Sequence, residues 1–317
     1  MTPSPDASRG ATPARIVLAL LAVYLIWGST YLGIRFALEG GYPPLLMAGG
    51  RFVVAGALMY AVLRARGAPA PTRRQWRDLA ILGLLLLGGG NGMVTLAQQT
   101  VSSGLAAVAV SSAPLWMAAF AAARREYPNK LEWLGLAIGF VGVLWLNAGS
   151  SLTATPQGLV LLLIAAIAWS FGSVWSRGRD LPSPFMGAAA QMLCGGVLML
   201  IAGFAFGERM HALPTLKGTF AVAYLVGFGS IVAFSAYIWL LQHVRTALAG
   251  SYAYVNPVIA VMLGAWLAEE RFTVSDFGAM AVILSGVVAI TLGKAKKKKT
   301  ESAPQGSSAD KPAEEAA

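Results

Sequence analysis

Of the chain's 317 residues, 56% are hydrophobic and only 12% carry charge, and the mean hydropathy is +0.64. A water-soluble surface needs roughly a quarter of its residues to be Asp, Glu, Lys or Arg, so this composition excludes an ordinary soluble domain and calls for lipid as the solvent. The net charge of +10 does not indicate nucleic acid, because the positive residues form short clusters between long apolar runs and not one basic face.

A spanning helix needs about 20 mainly apolar residues. Runs of that kind fall at approximately 16–36, 45–63, 79–99, 103–123 and 130–148. Five more follow at approximately 157–177, 184–206, 218–241, 246–267 and 274–293. The first run, with Arg9 and Arg15 ahead of it, has the outline of a signal peptide. Its length, and the nine runs after it, make it a retained anchor. The single cysteine, Cys194, lies in an apolar run and cannot form an internal disulfide.

Lysine and arginine set the orientation. With the N-terminus inside, 18 of them fall on the inner side, in clusters such as Arg73, Arg74 and Arg77 or Lys296 to Lys299. Only Arg35, Arg209, Lys217 and Arg271 fall outside. This bias puts both termini in the cytoplasm and requires an even number of spans. The lysine run after the last span reads as a cytoplasmic stop in reach of anionic membrane lipid. Residues 294–317 form a basic and then disordered tail, and residues 1–15 a cytoplasmic lead-in.

The halves 16–148 and 157–293 repeat one another. Trp27 to Arg35 (WGSTYLGIR) matches Trp169 to Arg177 (WSFGSVWSR) at an offset of 142. Gln99 matches Gln242, Pro114 matches Pro257, Glu126 matches Glu269 and Gly135 matches Gly278, all at 143. Five spans per half is odd, so the second half enters the membrane upside down. The expected fold is therefore an all-α polytopic membrane protein of ten transmembrane helices, built as two inverted five-helix repeats. Inverted repeats belong to transporters whose binding site lies between them near the midplane.

These residues resemble the EamA family of the drug/metabolite transporter superfamily. The resemblance rests on Trp27-Gly28-Ser29-Thr30-Tyr31, on Ala97-Gln98-Gln99-Thr100 through Pro114 to Glu126, and on Leu241-Gln242 through Asn256-Pro257 to Glu269. It covers about residues 16–293, and within the family the chain is most similar to the YddG/YedA-like subgroup. It implies export of small metabolites, amino acids or related amphipathic compounds, and drugs, across the inner membrane by alternating access. The expected partners are a small-molecule substrate and lipid, with the chain a monomer or homodimer and no cofactor.

Pro114 and Pro257 each lie about eleven residues into their runs, and a proline there removes a backbone bond and bends the helix. Breaks in corresponding spans point to a transport site; the alternative is a packing kink. Polar and aromatic residues gather around them: Ser111, Ser112 and Trp116, then Ser251, Tyr252, Tyr254 and Asn256. Asn91, Gln98, Tyr237 and Gln242 are added from the third and eighth runs, and Trp27, Thr30, Tyr31, Trp169 and Ser173 from the first and sixth. Interhelical hydrogen bonding and interfacial aromatic belts are the alternative roles for this set.

Arg51 is the one charge well inside a run, and burying it costs at least about 2.5 kcal/mol unless it faces a cavity or polar partners. It could hold a substrate carboxylate or tie backbone carbonyls at the repeat interface, where Gln191 is its rough counterpart. Gly88 to Gly92 carries no Gly-Lys-Ser/Thr and reads as close helix packing, as does the pair Gly135 and Gly139. Glu126 and Glu269 fall at opposite surfaces and read as helix-end anchors.

An intramembrane enzyme would need paired acids, a Ser/His pair or metal ligands at depth. Asp6, Asp78, Asp180, Asp276, Asp310, His211 and His243 all lie outside the runs or near their ends. A channel would need a pore with rings of charge, which the sequence does not contain. The energy source stays open between passive equilibration and coupling through an end residue such as His243 or Glu269.

Overall fold

A computed structural model describes residues 12–101, 106, 109–147, 155–268 and 274–301. Its regular secondary structure is helical throughout the described residues. In chain order the helices are α1 (Pro13–Glu39), α2 (Pro44–Ala65), α3 (Arg73–Ala97), α4 (Ala113–Ala123) and α5 (Lys130–Asn147). They are followed by α6 (Pro156–Ser176), α7 (Pro184–Ala205), α8 (Leu216–His243), α9 (Tyr252–Ala268) and α10 (Val274–Glu301). Six of them, α1, α2, α3, α6, α7 and α8, are long and apolar enough to cross a membrane.

Several helices begin before their apolar stretches, and capping explains the difference. The Thr72 hydroxyl accepts from the Gln75 N–H at 3.3 Å while the Gln75 side chain accepts from the Thr72 N–H at 2.9 Å. This capping box satisfies two donors that the first turn would leave bare, so α3 starts at Arg73, not near 79. The Thr12, Thr155 and Thr215 hydroxyls cap α1, α6 and α8 by accepting the N–H three residues on, without the reciprocal bond. At the other end of the chain, α10 continues through the lysine run to Glu301, past the expected boundary at 293.

Two helices bend where the prolines pointed, though not at the prolines themselves. The run expected at 103–123 turns at Ser111 and Ser112, so Pro114 sits in the first turn of α4, where a missing N–H costs nothing. The run expected at 246–267 is divided at Ser251 into one turn, Thr246–Gly250, and α9, with Pro257 inside α9. In both places a serine hydroxyl donates to the carbonyl three residues back: Ser112 to Ala109 at 2.6 Å and Ser251 to Leu248 at 2.8 Å. Such bonds compete with the helical ladder and favour a bend.

Packing follows the repeat. The second helices of the two halves, α2 and α7, cross through glycines: a Cβ on Gly49 would lie 2.8 Å from the Gly196 carbonyl oxygen, and one on Gly56 2.9 Å from that of Ala189. The fifth helices, α5 and α10, do the same through Gly135, Gly139 and Gly286. Without a hydrophobic force between helices in lipid, this backbone approach supplies much of their attraction. The first helix of each half leaves its own half: α1 packs on α8 and α9, and α6 packs on α3 and α4.

A third repeat-related feature has no hydropathy signature. α3 widens into a π-helical stretch at Gly83–Gly92, and α8 does so at Leu225–Phe234, 142 residues later. π-helical turns gather at functional sites because they redirect side chains and break the regular ladder.

Candidate functional site

The two widened stretches, the start of α4, and α1, α2, α6 and α9 line a central cavity, and the space between the helices of a bundle is a usual place for a small-molecule site. Its polar lining is Trp27, Thr30, Tyr31, Arg51, Asn91, Trp169, Tyr252 and Asn256. Its apolar lining includes Phe52, Val94, Val110, Ala113 and Phe234, and Gly90 and Gly229 border it as well. Among the described residues, no acidic side chain lines it.

Trp27 and Trp169 are repeat mates, and their rings meet edge to face at 5.4 Å between centroids. A residue can touch its repeat mate only near the pseudo-twofold axis, so the cavity lies on that axis. The Trp27 indole N–H donates to the Gly229 carbonyl at 3.1 Å, and that of Trp169 to the Tyr237 hydroxyl at 3.0 Å. Tyr237 also bonds Ser173 at 2.7 Å, and its ring and that of Tyr252 complete an aromatic cage against Trp27. A Cβ on Gly90 would lie 2.6 Å from the Trp169 ring, so the glycine run gives the indole its place.

Arg51 is only 4% exposed and, among the described residues, forms no ion pair. Its Nη2 donates to Asn91 Oδ1 at 2.7 Å, and its guanidinium lies 4.4 Å from the centre of the Phe52 ring. Among the described residues its buried Nε–H has no acceptor, and the buried Asn256 Oδ1 has no donor.

The remaining candidates lie elsewhere. Ser173 and Tyr237 stand behind the tryptophans as supports. Tyr254 is buried against Gly139 and donates to the Leu136 carbonyl, which ties α9 to α5. Ser111, Ser112, Pro114, Trp116 and Pro257 do not line the cavity, although Ser111, Ser112 and Pro114 border the bend that admits Val110 and Ala113 to it. Gln242 lines a separate cleft with Glu126, Arg177 and Gln191, at the end of the bundle where α1 begins. Gln98 lines a cleft at the opposite end with Arg35 and Glu39. Glu269 and Arg271 fall outside the described residues.

The end at which α1 begins is laced across helices. Arg177, just past α6, donates to the carbonyls of Leu241 at 2.7 Å and Val244 at 2.9 Å, and its Nε lies 3.5 Å from Glu126. Burial lowers the Arg177 pKa from its ordinary value, and Glu126 opposes part of that shift. Arg124 donates to the carbonyls of Val174 and Arg177, and Arg245 pairs with the buried Glu132 at 3.1 Å.

Phe52, Phe234 and the two widened stretches were not anticipated. Phe234 carried a signal: it is the repeat mate of Asn91, whose polarity had already marked that level of the bundle.

A helical bundle in two repeats around an axial cavity is the architecture of a membrane transporter. The EamA-like transporter family model matches residues 14–148 and again 156–292, and the chain belongs to that family. It is 48% identical over 277 residues to YedA of Escherichia coli (strain K12), described as an uncharacterized inner membrane transporter, covering 87% of this chain and 90% of that one. It is 23% identical over 294 residues to the uncharacterized transporter YoaV of Bacillus subtilis (strain 168), covering 90% and 99%. A solved crystal structure shares the fold at a TM-score of 0.73 and 22% identity, over 90% of this chain and 99% of that one.

Proposed function

We propose that this chain is a secondary transporter that carries small amphipathic metabolites out of the cytoplasm by alternating access. Its ten helical segments would be its spans, with both termini cytoplasmic. The observation that carries this reading is the axial cavity with, among the described residues, a charged cross-helix latch at one end. A molecule on the pseudo-twofold axis can be exposed to either side by rocking one repeat on the other, and the latch closes one of the two exits. The lysine and arginine bias supports assigning the latched end to the cytoplasm.

The reading predicts that cells expressing the protein accumulate less of a small amphipathic dye or metabolite, which is recovered chemically unchanged. A purified protein that converts the compound and moves nothing across liposomes would overturn it. For topology, single cysteines replace Ala212 and Ala70, both exposed, on a Cys194→Ser background. Ala212→Cys should react with an impermeant thiol reagent in intact cells and Ala70→Cys should not. The reverse pattern would reject this orientation.

A further inference from the structure

We propose that Arg51 and Asn256 hold the polar end of the transported molecule, which is a small carboxylate with a hydrogen-bond donor beside the acid group and an apolar or aromatic body. The assignment rests on the transport reading and names its substrate class. Arg51 is buried, has no carboxylate partner among the described residues, and keeps an unanswered Nε–H at the cavity. A buried cation in that condition is stabilised by an arriving anion, and a charge-assisted bond to it is roughly twice as strong as a neutral one. Asn256 Oδ1, an acceptor without a donor on the same cavity, asks for an O–H or N–H on the ligand. The rings of Trp27 and Trp169 take the body. A lipophilic cation finds like charge at Arg51 and, among the described residues, no acid to pair with.

The test is calorimetric binding to the full-length protein in nanodiscs with four probes of one shape. They are 3-phenyllactate, 3-phenylpropionate, 3-phenylpropionamide and 3-phenylpropylamine. The expected order is lactate over propionate, propionate about tenfold over the amide, and no binding of the amine. Arg51→Gln should erase the preference for acid over amide and Arg51→Lys should keep it. Asn256→Ala should erase the preference for the hydroxy acid. Equal binding of acid, amide and amine by the unsubstituted protein overturns the assignment, as does competition by chloride alone at the strength of the acids. If Arg51→Gln does not fold, the order shown by the unsubstituted protein and by Arg51→Lys decides. Liposomes that move the amine and not the acids overturn this assignment and leave transport standing. Acids that bind and are never moved overturn transport and leave the anion site standing.

A second inference comes from the latch, independently of the cavity. We infer that Arg35 is the latch of the opposite end and engages when the cavity faces the cytoplasm. Arg35 is the repeat mate of Arg177, and the partners of Arg177 map by the offset of 143 from Leu241 to Gln98, from Val244 to Val101 and from Glu126 to Glu269. Arg35, Gln98 and Val101 already line one cleft, where Arg35 is largely exposed and, among the described residues, is held by Glu39 on its own helix at 2.7 Å. Inverted repeats exchange conformations when the access side changes, so Arg35 releases Glu39 and donates to the Gln98 and Val101 carbonyls as the Arg177 latch opens.

The test uses Val94→Cys, at the cavity wall, on a Cys194→Ser background in right-side-out vesicles. Labelling by an impermeant thiol reagent should rise with Arg35→Ala. It should fall with Arg177→Ala and with Glu39→Gln, which frees Arg35. Should Arg177→Ala fail to fold, the opposed Arg35 and Glu39 variants still decide. Arg35→Ala and Glu39→Gln that shift labelling in the same direction, or not at all, overturn the latch.

Discussion

Replacing Gly286 with leucine is expected to remove most of the folded protein from the membrane, the largest loss of any single change considered. A Cβ at this position would lie 2.6 Å from the Gly139 nitrogen, 2.7 Å from the Gly135 carbonyl oxygen and 2.9 Å from the Gly139 Cα. These are backbone atoms of α5, and no side chain can swing aside to admit the new carbons. Overpacking costs about 1–3 kcal/mol where side chains can adjust, and here the helices must separate instead. Close approach is also what binds α5 to α10 in a solvent that gives no hydrophobic drive. Fluorescence-detected size-exclusion of the full-length protein should show the monodisperse peak fall severalfold with leucine and less with alanine. An unchanged peak with leucine would mean that the α5–α10 crossing is not needed for folding.

The second large effect is expected at the aromatic cage. Trp27 makes ring contacts with Trp169, Tyr237 and Tyr252 at 5.4, 5.1 and 4.9 Å. Such pairs contribute about 0.5–1.5 kcal/mol each, so Trp27→Ala removes enough to slow transport roughly tenfold or more. Trp169→Ala should act similarly, since its ring meets those of Trp27, Phe234 and Tyr237 and its N–H fixes Tyr237. Phenylalanine keeps a ring and loses only the indole N–H bond, worth about 0.5–1.5 kcal/mol, so Trp27→Phe should retain more activity than Trp27→Ala. Initial flux in proteoliposomes, normalised to folded protein, separates the two. Alanine variants that transport at the unsubstituted rate would move the site off the repeat axis.

The features read most directly from sequence were those with a strong local signature. Apolar runs marked the helices, and the matched segments Trp27 to Arg35 and Trp169 to Arg177 marked the repeat. The same match brought Trp27 and Trp169 into the candidate set, and they meet on the axis. Arg51 stood out because a lone charge in an apolar run demands a cavity or polar partners, and it has both. Helix starts were misjudged because hydropathy is blind to Thr72 and Gln75, whose capping box adds a polar first turn to α3. The bends were placed at Pro114 and Pro257, yet Ser112 and Ser251 make the competing bonds. Tyr254 shows a further limit: mid-helix polarity cannot tell a cavity wall from a bond to a neighbour, and its hydroxyl goes to Leu136. The π-helical stretches were beyond reach, since a widened turn depends on what packs against it and not on local composition.

The exchange of first helices between the halves bears on how the protein is made. Trp27 bonds a carbonyl 202 residues further along the chain, and Tyr24 a hydroxyl 227 residues further. At a synthesis rate of roughly 5–20 residues per second, α1 waits on the order of 10–40 s after it leaves the ribosome before α8 and α9 exist to receive it. Throughout that interval its tryptophan, serine and tyrosine groups stand in lipid or against the insertion machinery, unsatisfied by their final partners. Neither repeat holds a finished core, so maturation is a single late event that sets in only when α9 has been made. Nascent chains stalled before α9 should therefore be the species that membrane proteases remove.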